Sequence, residues 1–138
     1  MTGAEICQSK FHDISHFGLR LAIGTIFIVA GFAKFDPGFA AYLPQMGLPT
    51  KMQYIFALGE FVPGILIIVG VLTRISAVVL SLIMIGVIFY IDKASQFIGP
   101  NGFEFPMLIL ASSIVLITIG PGKISLSHLV KKLPQFLQ

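Results

Sequence analysis

The sequence predicts an all-α integral membrane protein: a four-helix bundle with short connections and a C-terminal amphipathic surface helix. Three observations carry that expectation. Hydrophobic residues make up 56% of the 138 and charged residues 11%, with a mean hydropathy of +0.95, against roughly 25% charged in soluble domains. Apolar runs recur over residues 14–35, 52–72, 75–91 and 103–119. Clusters of Pro, Gly, Asn and Asp, the residues that turn a chain, lie between them. A chain of this length has room for about four spans of roughly 20 residues in one membrane domain over 1–138.

Taken in order, Met1 to Ser15 mixes charged and apolar residues and reads as a frayed or surface-lying arm. The first span follows over 14–35, although its uncharged part runs only from Leu21 to Ala33, so Arg20 or Lys34 must enter the membrane zone. A signal peptide cleaved after Ala33 is the alternative; the further apolar segments, with no polar domain after them, favour a retained span. Asp36-Pro37-Gly38 and Pro44-Gln45-Met46-Gly47-Leu48-Pro49 form a loop, and the second span runs from Met52 to Leu72. Thr73-Arg74 then makes a tight connection into Ile75–Ile91, which requires antiparallel neighbours. Asp92 to Gly102 is a loop, and the fourth span runs from Phe103 to Ile119, with Pro106 in its tolerant first turns. Gly120-Pro121-Gly122 stops it. Beyond, Leu126, Leu129, Val130, Leu133 and Leu137 fall at helical spacing opposite Lys131 and Lys132, the pattern of a surface-lying helix over 125–138.

Charge sets the topology and excludes other classes. A net charge of +3 with scattered basic residues gives no nucleic-acid footprint. Lys10, Arg20, Arg74, Lys123, Lys131 and Lys132 fall on one side and Lys34, Lys51 and Lys93 on the other, so both termini are expected in the cytoplasm of a cell-membrane protein. Cys7 is the single cysteine, and there is no haem-attachment sequence, dinucleotide loop or zinc motif, so no intrinsic redox cofactor is expected. His12 and His16 are four residues apart but lack further ligands, and no metal site is expected.

The candidate site is built on Glu60, in a run without other charge from Lys51 to Arg74. A lone carboxylate in hydrocarbon costs at least about 2.5–3.5 kcal/mol, so it must be protonated or find a cation in the bundle interior. Pro63 frees the carbonyl of Gly59 beside it. With a rise of about 1.5 Å per residue, Arg20 and Glu60 differ by roughly 9 Å in depth, a gap a long side chain can mostly close. The preferred pairs are therefore Arg20 with Glu60 inside the membrane and Lys34 with Glu104 at the outer rim, with Lys34 as the competing partner of Glu60 unless Glu104 or Asp92 occupies it. Arg74 reads as a topology anchor to lipid phosphates. The glutamate either serves function or fixes helix register. Phe27, Phe32, Phe35, Phe39, Phe56 and Phe61 either line a quinone pocket or face lipid and packing partners.

The ordered motifs resemble those of the DoxX/DoxD-like four-helix membrane proteins. They are Arg20 with Gly31 and Lys34; Gly47-Leu48-Pro49; Gly59-Glu60 and Gly64; Gly70-Val71-Leu72-Thr73-Arg74 with Ala77 and Met84; Gly102-x-Glu104; and Gly120-Pro121-Gly122-x-x-Ser125-Leu126. Where the family commonly has aspartate after the last Ser-Leu, this chain has Ser127. The resemblance implies a membrane protein that works beside oxidoreductases, some of them quinone-linked. The leading expectation is a subunit or anchor of an oxidoreductase complex, not catalytic alone, shaping a quinone or lipid site with other membrane subunits and lipids as partners. A small proton-coupled transporter or channel, and a lipid-binding assembly factor or cargo receptor, are the alternatives.

Overall fold

The fold is described from a computed structural model over residues 3–91, 93, 96–99 and 102–122, with backbone alone for 3–9. The surface helix expected over 125–138 lies outside these residues, as do Asp92 and Lys123. All regular structure among the described residues is helical. Helix α1 spans Gly3–Ala33, α2 Pro37–Tyr42, α3 Met52–Val69, α4 Thr73–Gly86 and α5 Glu104–Ile119. Lys10–Ala33, Met52–Val69 and Thr73–Ile91 are long and apolar enough to cross a membrane, and Glu104–Ile119 is a shorter apolar helix.

The departures from the predicted boundaries have local causes. Nothing between Ala4 and Phe17 is Gly or Pro, so the expected arm continues as the first turns of α1. The first turn-rich loop folds instead into α2, whose N-cap Asp36 accepts a hydrogen bond from Gly38 N at 2.7 Å with Pro37 at the first helical position. A 3-10 turn, Leu43–Met46, follows and ends at Gly47. Helix α3 stops at Val69, before Leu72, because Gly70 takes a φ of 79° there. Its N–H and that of Val71 both reach Leu66 O, at 2.8 and 3.0 Å, which closes the carbonyl end. The connection is therefore 70–72, and Thr73 and Arg74 already belong to α4. At its far end α4 widens into a π-helical turn over Val87–Ile91.

Helices α1 and α3 pack through their backbones. A Cβ on Gly24 would sit 2.7 Å from Gly64 O, and one on Gly31 would sit 2.6 Å from Phe61 N and 2.8 Å from Ala57 O. A Cβ on Gly64 would meet Gly24 O and Ile28 N at 3.0 Å. Small residues bring membrane helices together in this way, where lipid removes the hydrophobic drive between them. Seven residues along α1 from Gly24 to Gly31 match seven back along α3 from Gly64 to Ala57, which is two turns on one face of each helix. The core proper is small: Ile23, Phe27, Ile67, Ala77, Leu80 and Leu116 are buried among α1, α3, α4 and α5. Val29, Phe32, Ile55, Leu82, Phe89 and Leu108 face outward as a lipid-facing surface. Hydroxyls on that surface are closed within their own helices, Thr25 onto Leu21 O and Ser112 onto Leu108 O.

The α1–α3 contact yields a prediction. Helix propensity alone would favour replacing Gly31, by up to about 1 kcal/mol. Backbone overlap opposes it, and Gly31→Val should lose about 1–3 kcal/mol or more. Thermal unfolding in detergent checks this, with Gly86→Ala, which meets open space, as the tolerated control.

Candidate functional site

The register of α1 on α3 decides which charges meet. Gly31 lies against Ala57 and Phe61, so Lys34, one turn further on, comes up beside the same stretch of α3. Its Nζ donates to Glu60 Oε2 at 2.5 Å. The Glu60 side chain is 3% exposed and that of Lys34 24%, so the carboxylate is sealed while the ammonium reaches toward the rim. Gln53, buried at the start of α3, fixes the exit of α1: its Nε2 donates to Lys34 O and Asp36 O, both at 3.0 Å. The Lys34 ammonium also lies 5.7 Å from the Phe39 ring centre, within range of a cation–π attraction.

The pair borders a cavity of about 290 Å³. Phe27 of α1, Phe39 of α2, Phe56 of α3, Met84 of α4, Val87 of the π-helical turn and Ile109 of α5 contribute to its wall, with Lys34 and Glu60 as its charged members. An apolar chamber with one donor and one acceptor suits a flat apolar ligand carrying a carbonyl or hydroxyl. Of the phenylalanines noted in the sequence, Phe27, Phe39 and Phe56 line this space. Phe32 points outward, and Phe35 and Phe61 pack edge to face against each other at 6.4 Å.

The structure corrects both expected ion pairs. Arg20 does not meet Glu60: its Nε donates to Ile67 O at 2.8 Å, its Nη2 to Ile68 O at 2.7 Å and its Nη1 to Pro121 O at 2.6 Å. The last carbonyls of α3 and the turn after α5 lie nearer than the carboxylate, and these acceptors otherwise go unsatisfied in lipid. A planar fork of donors suits several carbonyls at once. Lys34 does not meet Glu104 either, because Glu60 holds it. Glu104 sits in the first turn of α5, where negative charge is favoured, and Gly99 N approaches its Oε1 at 3.4 Å. Arg74 opens α4 and lies over Gly120.

Sequence reasoning missed Gln53 as the brace of Lys34, although a lone amide in an apolar run is a visible signal. It also missed the deep burial of His16 and Thr73, for which the sequence carries no sign. Among the described residues, no group of three His, Cys, Asp or Glu side chains comes together to hold a metal.

Comparison with known proteins agrees with this fold. The DoxX family model matches residues 16–93. The chain is 34% identical over 127 residues to "Putative oxidoreductase CatD" of Bacillus subtilis (strain 168), covering 91% of this chain and 93% of that protein. It is 35% identical over 120 residues to the inner membrane protein YphA of Escherichia coli (strain K12), covering 79% and 85% of the two chains. For the inner membrane protein YqjF of the same organism the identity is 30% over 131 residues, covering 91% and 98%. No solved structure matches the chain.

The buried pair makes a second prediction. Lys34→Met leaves the Glu60 carboxylate without its cation, which costs about 3 kcal/mol, the low end for a buried pair since the lysine is partly solvated. Lys34→Met combined with Glu60→Leu should recover most of that loss, because no buried charge remains. Unfolding temperatures of the single and double variants measure the difference.

Proposed function

We propose that this chain, which belongs to the DoxX family, is a membrane subunit of an oxidoreductase system and holds a quinone-type ring beside Lys34 and Glu60. The observation that carries the reading is one closed ion pair at the wall of an otherwise apolar, aromatic-lined cavity. Such a pair has a donor and a proton-holding group to offer a ring oxygen, while the phenylalanines offer it flat faces. The volume, near the lower end for ligand pockets, suits a single ring with its tail left in lipid. A bound quinone would supply coupled electron and proton chemistry. The chain's own part is to orient the ring, exclude water and hold a proton at Glu60. The sequence has no redox motif of its own, so electrons come from partner subunits. The name of CatD supports this reading by analogy.

On this reading residues 1–138 act as one membrane unit, with both termini in the cytoplasm and with lipids and other membrane subunits as partners. Purification from the native membrane in gentle detergent at low salt, followed by mass spectrometry, tests the assignment. Redox subunits and a quinone should stay bound, and Glu60→Gln should lower the retained quinone by about tenfold, the equivalent of one charge-assisted hydrogen bond. A chain that emerges with lipid alone sinks the subunit reading. In that case pH-driven flux in proteoliposomes, lost in Glu60→Gln, would favour proton-coupled transport through the same pair.

Topology has a direct check, because Cys7 is the single cysteine. A membrane-impermeant maleimide should label it in inverted vesicles and leave it unlabelled in intact spheroplasts. The reverse pattern overturns the cytoplasmic assignment of the N-terminus.

A further inference from the structure

At the end of the bundle away from Glu60, three basic side chains converge on the turn that closes α5. A Cβ on Gly120 would sit 3.1 Å from Arg74 Nε, Arg20 Nη1 donates to Pro121 O at 2.6 Å, and a Cβ on Gly122 would sit 2.7 Å from His16 Nδ1. Each residue of Gly120-Pro121-Gly122 is thus met by a basic group from another element. Both glycines have positive φ, 79° and 69°, so neither position readily takes a side chain that would push these groups away.

Several polar atoms here are left unmatched among the described residues. Arg20 is engaged by backbone carbonyls, but among the described residues Arg74 Nε, Thr73 Oγ1 and His16 Nε2 are buried with no hydrogen-bond partner. Thr73 is 0% exposed and His16 5%, and leaving a buried polar group unmatched is costly. Asp13, one turn before His16 on α1, is the acidic side chain described at this end; Asp36, Glu60 and Glu104 belong to the other half of the bundle. Helix α4 starts here without a cap: its N-cap is Leu72, with no side-chain hydrogen bond, and its first turn holds no acidic residue. The first intrahelical bond is Ser76 N to Leu72 O, so the N–H groups of Thr73, Arg74 and Ile75 lack helical acceptors. Those groups carry the positive end of the helix dipole.

We propose that the start of α4, with Arg74 and Thr73, binds a phosphate group. A guanidinium, a hydroxyl and helix N-terminal N–H groups are complementary donors to a tetrahedral anion, and arginine matches phosphate with two parallel bonds. The site lies where α3 ends and α4 begins, at the rim of the bundle, which is the level of lipid head groups. The phosphate belongs either to a lipid head group or to a free anion from the water. This assignment does not depend on the cavity, which lies around Glu60.

The test uses the full chain, purified and stripped of lipid in mild detergent, with native mass spectrometry. Phosphatidylglycerol is the probe, and a diacylglycerol of the same acyl chains, which lacks the phosphate, is the control. The expected result is one phosphatidylglycerol retained per chain and no comparable retention of diacylglycerol. Arg74→Gln should cut retention by about tenfold and Thr73→Val by about threefold, in keeping with a charged and a neutral hydrogen bond. Lys51→Gln, at an exposed position at the start of α3, should leave it unchanged. Adding inorganic phosphate separates the sources: displacement of the lipid together with a raised unfolding temperature in wild type, absent in Arg74→Gln, assigns a free anion. Failure to displace assigns the lipid. Equal retention by wild type, Arg74→Gln and Thr73→Val, or equal retention of diacylglycerol, overturns the site. Should Arg74→Gln fail to fold, Thr73→Val keeps the guanidinium and the side-chain shape and reads the same loss.

Discussion

The backbone contact between α1 and α3 at Gly24, Gly31 and Gly64 decides where the charges in the membrane can go. With no side chains between them, the two helices have one close register, and shifting it would drive Cβ-bearing neighbours into backbone atoms. That register sets Lys34 beside Glu60 and leaves Arg20 level with the last turn of α3. The glycines therefore act on function at a distance. They carry no chemistry, yet they choose which cation neutralises the buried carboxylate.

The two charged centres solve different problems. Glu60 is buried and needs one compact partner, and the flexible lysine stem delivers an ammonium to it from the helix end. Arg20, in contrast, closes three carbonyls, two at the end of α3 and one in the turn after α5. Each of those carbonyls would otherwise face lipid or a dry interior without a donor, at a cost of several kcal/mol. Arg20 thus binds α1, α3 and the turn after α5 into one unit, leaving Glu60 and Lys34 as the polar groups of the cavity. Gln53 performs a smaller version of the same task where α1 hands over to α2.

Much of this was legible in the sequence. Composition and the spacing of apolar runs gave the helical membrane class, and Glu60, Arg20 and Lys34 stood out as charges in the wrong solvent. Their partners were not legible, because depth along a straight helix places Arg20 and Lys34 at comparable distances from Glu60. Only the interhelical register separates them, and that depends on which glycines face each other. Boundaries failed where one residue's backbone overrode its neighbours' preferences: Gly70 ended α3 early, and a run without Gly or Pro carried α1 toward the N-terminus. The unmatched hydrogen-bonding groups of His16 and Thr73 arise from tertiary packing, which no local pattern encodes.

The helices differ in length in a way that acts on the surrounding lipid. Helix α5 has 16 residues, a rise of about 24 Å against a hydrocarbon core of about 30 Å. Helix α1 has 31 residues and overshoots that thickness. The excess length of α1 is its charged first turns around Lys10 and Asp13, which need no hydrocarbon, so the mismatch rests with α5, where a short apolar helix is met by thinning of the bilayer. A lipid collar around the bundle would on this ground be thinnest along α5. Phe105, Pro106 and Ile109 of that helix form one wall of the cavity that Lys34 and Glu60 also line, so lipid thinned there would lie against the cavity's own wall.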